Sequence, residues 1–194
     1  MAHCPVRNLR SVNNMRIIGG EFRSRILKDF SGDAIRPTSD RAREALFNIL
    51  ALKIRGARVL DLFSGSGALG LESISRGAKE VVFNDVSKDS VAVLKNNLAM
   101  LKLTSDERIC VYNYDYAVCL NAVQPPLDIV FIDPPYRFDY GEKALTLIAQ
   151  RGLLSENGIA VYERDRVFEG EIPGLIKYDE RKYGKAYFTF FKRG

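Results

Sequence analysis

The chain has 194 residues, 46% hydrophobic and 27% charged, which suffices for one compact α/β domain with a small addition and is too short for two full domains. The single histidine, His3, and the three cysteines, Cys4, Cys110 and Cys119, leave a Ser-His-Asp or Cys-His mechanism almost nothing to work with, lack metal-ligand spacing, and read as reduced thiols. No run of about 18 apolar residues occurs and the first residues lack the apolar stretch of a signal peptide, so a membrane span is excluded and a cytoplasmic location is expected. A monomer is the expected state.

Net charge is +5, and its distribution carries more than its total. Residues 1–58 hold twelve Lys/Arg against five Asp/Glu, residues 177–194 hold six against two, and residues 59–176 between them hold 11 against 17. Basic flanks around an acidic centre attract a polyanion such as RNA or DNA, because neutralised phosphates supply most sequence-independent affinity. A merely solvated basic surface is the simpler alternative.

Residues 1–14 are polar and irregular and read as a flexible extension, with Met15 as an alternative start. Residues 15–56 read as a hairpin and helix positioned to touch RNA or a cofactor. Within them, Ile17-Ile18 and the run 22–27 flank Gly19-Gly20, which predicts an arginine-rich β-hairpin over 16–27. Pro37, Thr38, Ser39 and Asp40 predict a loop ending in a helix N-cap, and Ala42, Ala45, Leu46, Ile49 and Leu50 follow at helical spacing. From Ala57 the pattern alternates: strands are predicted over 58–63, 80–84, 108–113, 127–132 and 158–163, and amphipathic helices over 69–76, 87–101 and 140–150. Such alternation implies a parallel sheet with helices on both faces. After Glu163, runs at 175–181 and 185–192 joined by Tyr183-Gly184 predict an antiparallel hairpin. The expected fold is therefore α/β, a Rossmann-like, seven-stranded class I methyltransferase arrangement over 57–194; an NAD-linked dehydrogenase would continue with a sixth parallel strand.

Chemistry enters where strands end. Gly65, Gly67 and Gly70 satisfy G-x-G-x-x-G, which by itself suits a pyrophosphate or a carboxylate. Asp61, four residues before the first glycine, would repel a pyrophosphate but can hold the amino group of a zwitterionic amino acid, as S-adenosylmethionine offers. Asp85, after the second strand, suits ribose hydroxyls, and Asp115 can accept from an adenine amino group while Val86 or Tyr116 packs on the purine. Asp133-Pro134-Pro135-Tyr136 follows the fourth strand. Two prolines cannot continue a ladder, so the loop is rigid and offers carbonyl acceptors. Asp133 and the Pro134 carbonyl can accept both N–H bonds of an exocyclic amino group, draw its lone pair out of conjugation and aim it at a methyl donor, with Tyr136 stacked on the base. The base must then be unpaired or flipped out.

These residues resemble the RsmD family, bacterial 16S ribosomal RNA (guanine-N2)-methyltransferases, over residues 15–193. The blocks that carry the resemblance are Met15-Arg16-Ile17-Ile18-Gly19-Gly20-Glu21-Phe22-Arg23, Arg36-Pro37-Thr38-Ser39-Asp40-Arg41-Ala42-Arg43-Glu44-Ala45-Leu46-Phe47-Asn48, the glycine turn over Asp61–Gly70 and the Asp133–Tyr136 loop. The Arg36-Pro37-Thr38 segment is the specific part, since Asp-Pro-Pro-Tyr is shared with enzymes acting on adenine N6 and cytosine N4. The resemblance implies methylation of one guanine in the small subunit's RNA, with the subunit or an assembly intermediate as substrate. It implies that Asp133 and Tyr136 engage the guanine, that Asp61, Gly65, Gly67 and Asp85 hold S-adenosylmethionine, and that Arg36, Thr38 and Arg43 approach either the methionine end of the cofactor or the RNA. Pro134 joins the catalytic candidates, Ser66 the cofactor-binding ones and Arg23 the substrate-binding ones. Methylation of DNA, an NAD-linked oxidoreductase and an inactive RNA-binding assembly factor are the competing readings.

Overall fold

Strands with continuous apolar runs need cover on both faces, and here the alternation of side chains supplies two separate cores. The computed structural model describes residues 15–29, 39–135 and 139–194. Its strands are β1 (Arg58–Asp61), β2 (Glu80–Asn84), β3 (Ile109–Tyr112), β4 (Leu127–Ile132), β5 (Leu154–Arg164), β6 (Leu175–Tyr183) and β7 (Ala186–Arg193). They form one seven-stranded sheet in the order β3-β2-β1-β4-β5-β7-β6. The first five are parallel, and β7 enters antiparallel to β5 and pairs with β6 as a hairpin, as the class I methyltransferase arrangement requires.

Helices α1 (Asp40–Ile49), α3 (Ala68–Ser75) and α4 (Lys88–Met100) cover one face. There Val59, Phe83, Ile129 and Phe131 meet Phe47, Leu71 and Leu94. Helices α5 (Tyr116–Ala122) and α6 (Tyr140–Gln150) cover the other, where Leu60, Val82, Val130 and Ile132 meet Leu120, Leu145 and Ile148. A one-turn α2 (Ala51–Ile54) links α1 to β1. The sequence pattern does not announce α5, since seven residues are too few to show a period; Asp115 starts it by accepting from the Ala117 amide at 2.9 Å.

The N-terminal segment differs from the expected hairpin. Arg16 and Ile26 form one isolated antiparallel bridge instead of two paired strands, and the chain turns over residues 21–24. Gly20 is not the tip of that turn: a Cβ there would lie 1.9 Å from the Ser75 carbonyl oxygen, so its role is close approach to the end of α3. Met15, Ile17 and Leu27 join the α1 face of the core. Polar groups on α3 and α4 fix the segment's main chain. The Glu72 carboxylate, fully buried, accepts from the Ile18 and Gly19 amides at 2.7 and 2.8 Å and from Arg76 Nε at 2.6 Å. Asn97 accepts from the Lys28 amide and donates to both the Lys28 and Ser66 carbonyls, so it ties this segment to the glycine turn. Replacing Glu72 by alanine strands two part-buried amides and the Arg76 guanidinium. It is expected to cost about 3 kcal/mol or more. Chemical denaturation reads that loss, and a change below 1 kcal/mol would mean that the segment is not held by this carboxylate.

Candidate active site

In a doubly wound sheet, ligands bind at the carboxyl ends of the strands where the order of succession reverses. Here that point lies between β1 and β4, so the turn after β1 and the loop after β4 border the same crevice. Asp61 ends β1 and Asp133 follows β4. Asp61 stands opposite Phe131 in the neighbouring strand, two residues before Asp133, near enough for the Asp61 charge to act on Asp133.

The glycine turn is built by packing as much as by any ligand. Gly67, with φ +86°, lies where a Cβ would meet Leu94 at 2.4 Å, and a Cβ on Gly70 would meet Phe83 at 2.1 Å, so both seat α3 against its neighbours. Gly65, with φ +53°, has open space where a Cβ would stand, which leaves its backbone accessible. Ser66 turns inward. Its hydroxyl donates to Met15 Sδ at 3.4 Å, and its carbonyl accepts from Asn97, so the side chain expected to hold a cofactor contacts protein. Ser64 Oγ is buried with no hydrogen-bond partner among the described residues.

Asp61 is 2% exposed and accepts from the Gly70 amide at 2.9 Å. Burial pushes its pKa up to about 7 against the opposing pull of that amide, and the Asp85 charge adds to the rise. Asp85 accepts from the Gly65 amide at 2.9 Å and the Ser87 amide at 2.8 Å, leaving acceptor capacity on both oxygens. Asn84, which the sequence reading passes over, is buried and donates to the Leu62 and Tyr114 carbonyls at 3.1 Å each, binding together the ends of the three neighbouring strands. Beside this frame, Val86 is 68% exposed, an apolar surface open to a flat ring. Tyr116 packs against Phe63 and Tyr140, with ring centroids 5.8 and 5.4 Å away. The open backbone at Gly65, the unpartnered Ser64 hydroxyl, the Asp61 and Asp85 carboxylates and exposed Val86 fit a ligand that carries a cationic amino group, a ribose and an aromatic base.

Asp133 is partly buried and Pro134 fully so. Burial is the main cause that lifts Asp133 well above the usual carboxylate range, and the charges of Glu163 and Asp61 lift it further. Glu163 is 4% exposed at the end of β5, one residue past the Ile132–Tyr162 pair. It belongs to the site's electrostatics although the sequence reading gives it no role; its only signal is an acid that closes an apolar run.

The substrate-contacting candidates are not all gathered here. Arg43 is 1% exposed, and its Nη2 donates to the Arg16 carbonyl at 2.9 Å and Asp40 at 2.6 Å. It shares the inward face of α1 with Ala42, Leu46 and Phe47, and its Nε and Nη1 have no hydrogen-bond partner among the described residues. Arg23 is exposed in the N-terminal turn. Arg36, Thr38 and Tyr136 lie outside the described residues.

Five parallel strands closed by an antiparallel hairpin, with an acid at the end of β1, a glycine turn and an Asp-Pro-Pro loop across the switch point, define a Rossmann-like methyltransferase. A solved structure described as "Putative methyltransferase yhhF" from Escherichia coli superposes with a TM-score of 0.80 at 35% identity, covering 93% of this chain and 98% of that one. The family described as Conserved hypothetical protein 95 matches residues 15–192, and the chain belongs to it. Among its relatives, "Putative rRNA methyltransferase YlbH" of Bacillus subtilis is 36% identical over 92% of this chain and 99% of its own length. "Ribosomal RNA small subunit methyltransferase D" of Haemophilus influenzae is 39% identical over 78% of this chain and 79% of its own.

Proposed function

We propose that this protein transfers a methyl group from S-adenosylmethionine to the exocyclic N2 of one guanine in 16S ribosomal RNA, acting in the cytoplasm as a monomer on the small subunit or its assembly intermediate. The observation that supports the reading is the pairing of β1 with β4, in which Asp61 stands opposite Phe131, two residues before Asp133, so that an acceptor for a base amino group and a carboxylate for a cationic amino acid border one crevice. Relatives named for small-subunit rRNA methylation support the choice of RNA.

S-adenosylmethionine supplies an electrophilic methyl group on a sulfonium. Asp61 holds the amino group of its methionine part, Asp85 the ribose hydroxyls, and Val86 and Tyr116 flank the adenine, with Asp115 as acceptor for its amino group. On the other side of the crevice, the Asp133 carboxylate and the Pro134 carbonyl accept the two N–H bonds of N2. The amino group then rotates out of conjugation and its lone pair is localised; the C–N bond would form as the methyl–sulfur bond breaks, S-adenosylhomocysteine would leave, and the surplus proton on nitrogen would pass to the Asp133 carboxylate that accepts its N–H, beside the positive charge growing there. Tyr136 stacks on the extruded base and keeps it in line.

The same pair of acceptors would suit adenine N6 or cytosine N4, so DNA is the second reading. Both are tested by offering labelled cofactor with small subunits from a strain lacking the gene, and with DNA. One new N2-methylguanine in 16S RNA is expected. Label in DNA alone would reverse the assignment, and calorimetric binding of NAD without S-adenosylmethionine would end the methyltransferase reading.

A further inference from the structure

The hairpin β6–β7 extends beyond the catalytic edge of the sheet. Strand β5 runs in the direction of β4, and its Tyr162 pairs with Ile132, so Asp133 stands at the level of Glu163. Strand β7 runs back, with Phe188 opposite Glu163 and Tyr187 opposite Arg164. In β6, Arg181 and Lys182 pair with those same two residues, and Tyr183 pairs with Ala186. The tip at 183–186 therefore continues past the level of Asp133 by two to three residues, about 7–10 Å at the rise of an extended chain. It projects beside β5, on the same side of the β1–β4 switch point as Asp133, while the glycine turn, Asp85 and Asp115 lie on the side of β1 to β3.

The tip is also charged for a polyanion. Arg181, Lys182 and Lys185 are exposed within five residues, and Arg166 is exposed on the loop leaving β5. Asp179 pairs with Arg181 at 2.9 Å, but among the described residues neither Lys182 nor Lys185 has a salt-bridge partner. The Lys182 ammonium instead lies 5.0 Å from the centre of the Tyr187 ring, an arrangement that holds the chain extended over an aromatic surface. Gly184, with φ +64° and open space around it, makes the turn without adding bulk. An overhanging tip of this kind cannot reach the reacting nitrogen. It can reach the backbone that enters or leaves the crevice.

We propose that the β6–β7 tip is a phosphate clamp: Lys182 and Lys185 neutralise two phosphodiester groups of the RNA strand flanking the extruded base. The clamp rests on the reading of the crevice as the site of base methylation, and its contribution is to affinity and register, not to the chemical step.

The test uses the full-length protein and the variant Lys182→Ala/Lys185→Ala, both far from the core. Affinity for a short RNA hairpin with an unpaired guanine is measured from 50 to 300 mM salt. The slope of log affinity against log salt should become shallower by about 1.5, and affinity near 0.1 M salt should fall about ten- to thirty-fold. Cofactor affinity should be unchanged, and methylation of small subunits should show a raised KM with kcat preserved at saturation. Lys79→Ala, just before β2 at the amino end of the parallel strands, removes one charge without touching the tip and should leave the slope nearly unaltered. A double variant with the wild-type slope and affinity overturns the clamp, whatever the methylation assay shows. If the slope changes as expected but wild-type protein modifies no ribosomal RNA, the clamp stands and the assignment of the reaction falls.

Discussion

Replacing Asp133 by alanine is expected to lower kcat about 10³-fold while cofactor affinity stays within twofold of the wild type. The alanine removes one of the two acceptors that localise the lone pair on the substrate nitrogen, and with it the anion beside the charge that develops there; losses of this size follow from deleting a single preorganised electrostatic partner. A loop fixed by Pro134 and Pro135 does not rearrange to replace it. Asp133→Asn separates the two contributions, because it keeps a neutral acceptor and removes the charge. In the wild type Asp133 titrates well above the usual carboxylate range, chiefly through burial and then through Glu163 and Asp61. Only the ionised form accepts with both oxygens, so turnover at saturating cofactor should rise with pH through that raised value. The asparagine variant should be slower and flat over the same range. A pH profile in the variant that matches the wild type would assign the titration to another group, and near-normal turnover in the alanine variant would remove Asp133 from the chemistry.

Asp61→Asn is expected to weaken S-adenosylmethionine at least 100-fold and yet to stabilise the unliganded protein. The Asp61 pKa stands at about 7 in the folded chain against 3.8 as its ordinary value. A raised carboxyl pKa penalises the folded state: as pH climbs from about 4 to about 7 the unfolded chain releases this proton and the folded chain retains it, so stability falls across that window and does not return above it. Three units correspond to an upper limit of about 4 kcal/mol, and relaxation around the group reduces it, so a gain of about 2–4 kcal/mol at pH 8 is expected for the variant. Asparagine keeps an oxygen for the Gly70 amide, so the turn itself should persist. For the wild type, a cationic amino group requires the ionised carboxylate. Cofactor affinity should therefore rise about tenfold per pH unit below 7 and level off above it, and the variant should lack that dependence. Thermal denaturation at pH 5.5 and pH 8, with calorimetry at both, measures all of this. A variant less stable than the wild type at pH 8, or one that binds the cofactor normally, would show that Asp61 serves the turn alone.

Both effects arise at residues visible in the sequence, but by different kinds of legibility. Asp133 stands out because two prolines after an apolar run have no use inside a ladder. Asp61 stands out by its distance from a glycine turn. Its second engagement, with the Gly70 amide, needs three dimensions. Ser66 and Arg43 show the limit. Each sits inside a motif that carries the family resemblance, and each turns toward protein: Ser66 to Met15, Arg43 to Arg16 and Asp40. A motif states which residue types recur together and cannot say whether a side chain faces a ligand or supports the backbone that does.

The sequence by itself determined the alternation of strands and helices, the terminal hairpin, the glycine turn and the proline loop. Those features depend on neighbours within a few residues, through the two-residue and 3.6-residue periods and the fixed geometry of proline. Tertiary structure alone decided that Gly20 serves a close approach to Ser75, that Glu72 and Asn97 anchor the N-terminal segment, that Glu163 adds its charge to Asp133, and that the β6–β7 tip reaches past the catalytic edge. Each of these is set by strand order and register between segments tens of residues apart, and a buried charge acquires its properties only from what the fold places around it.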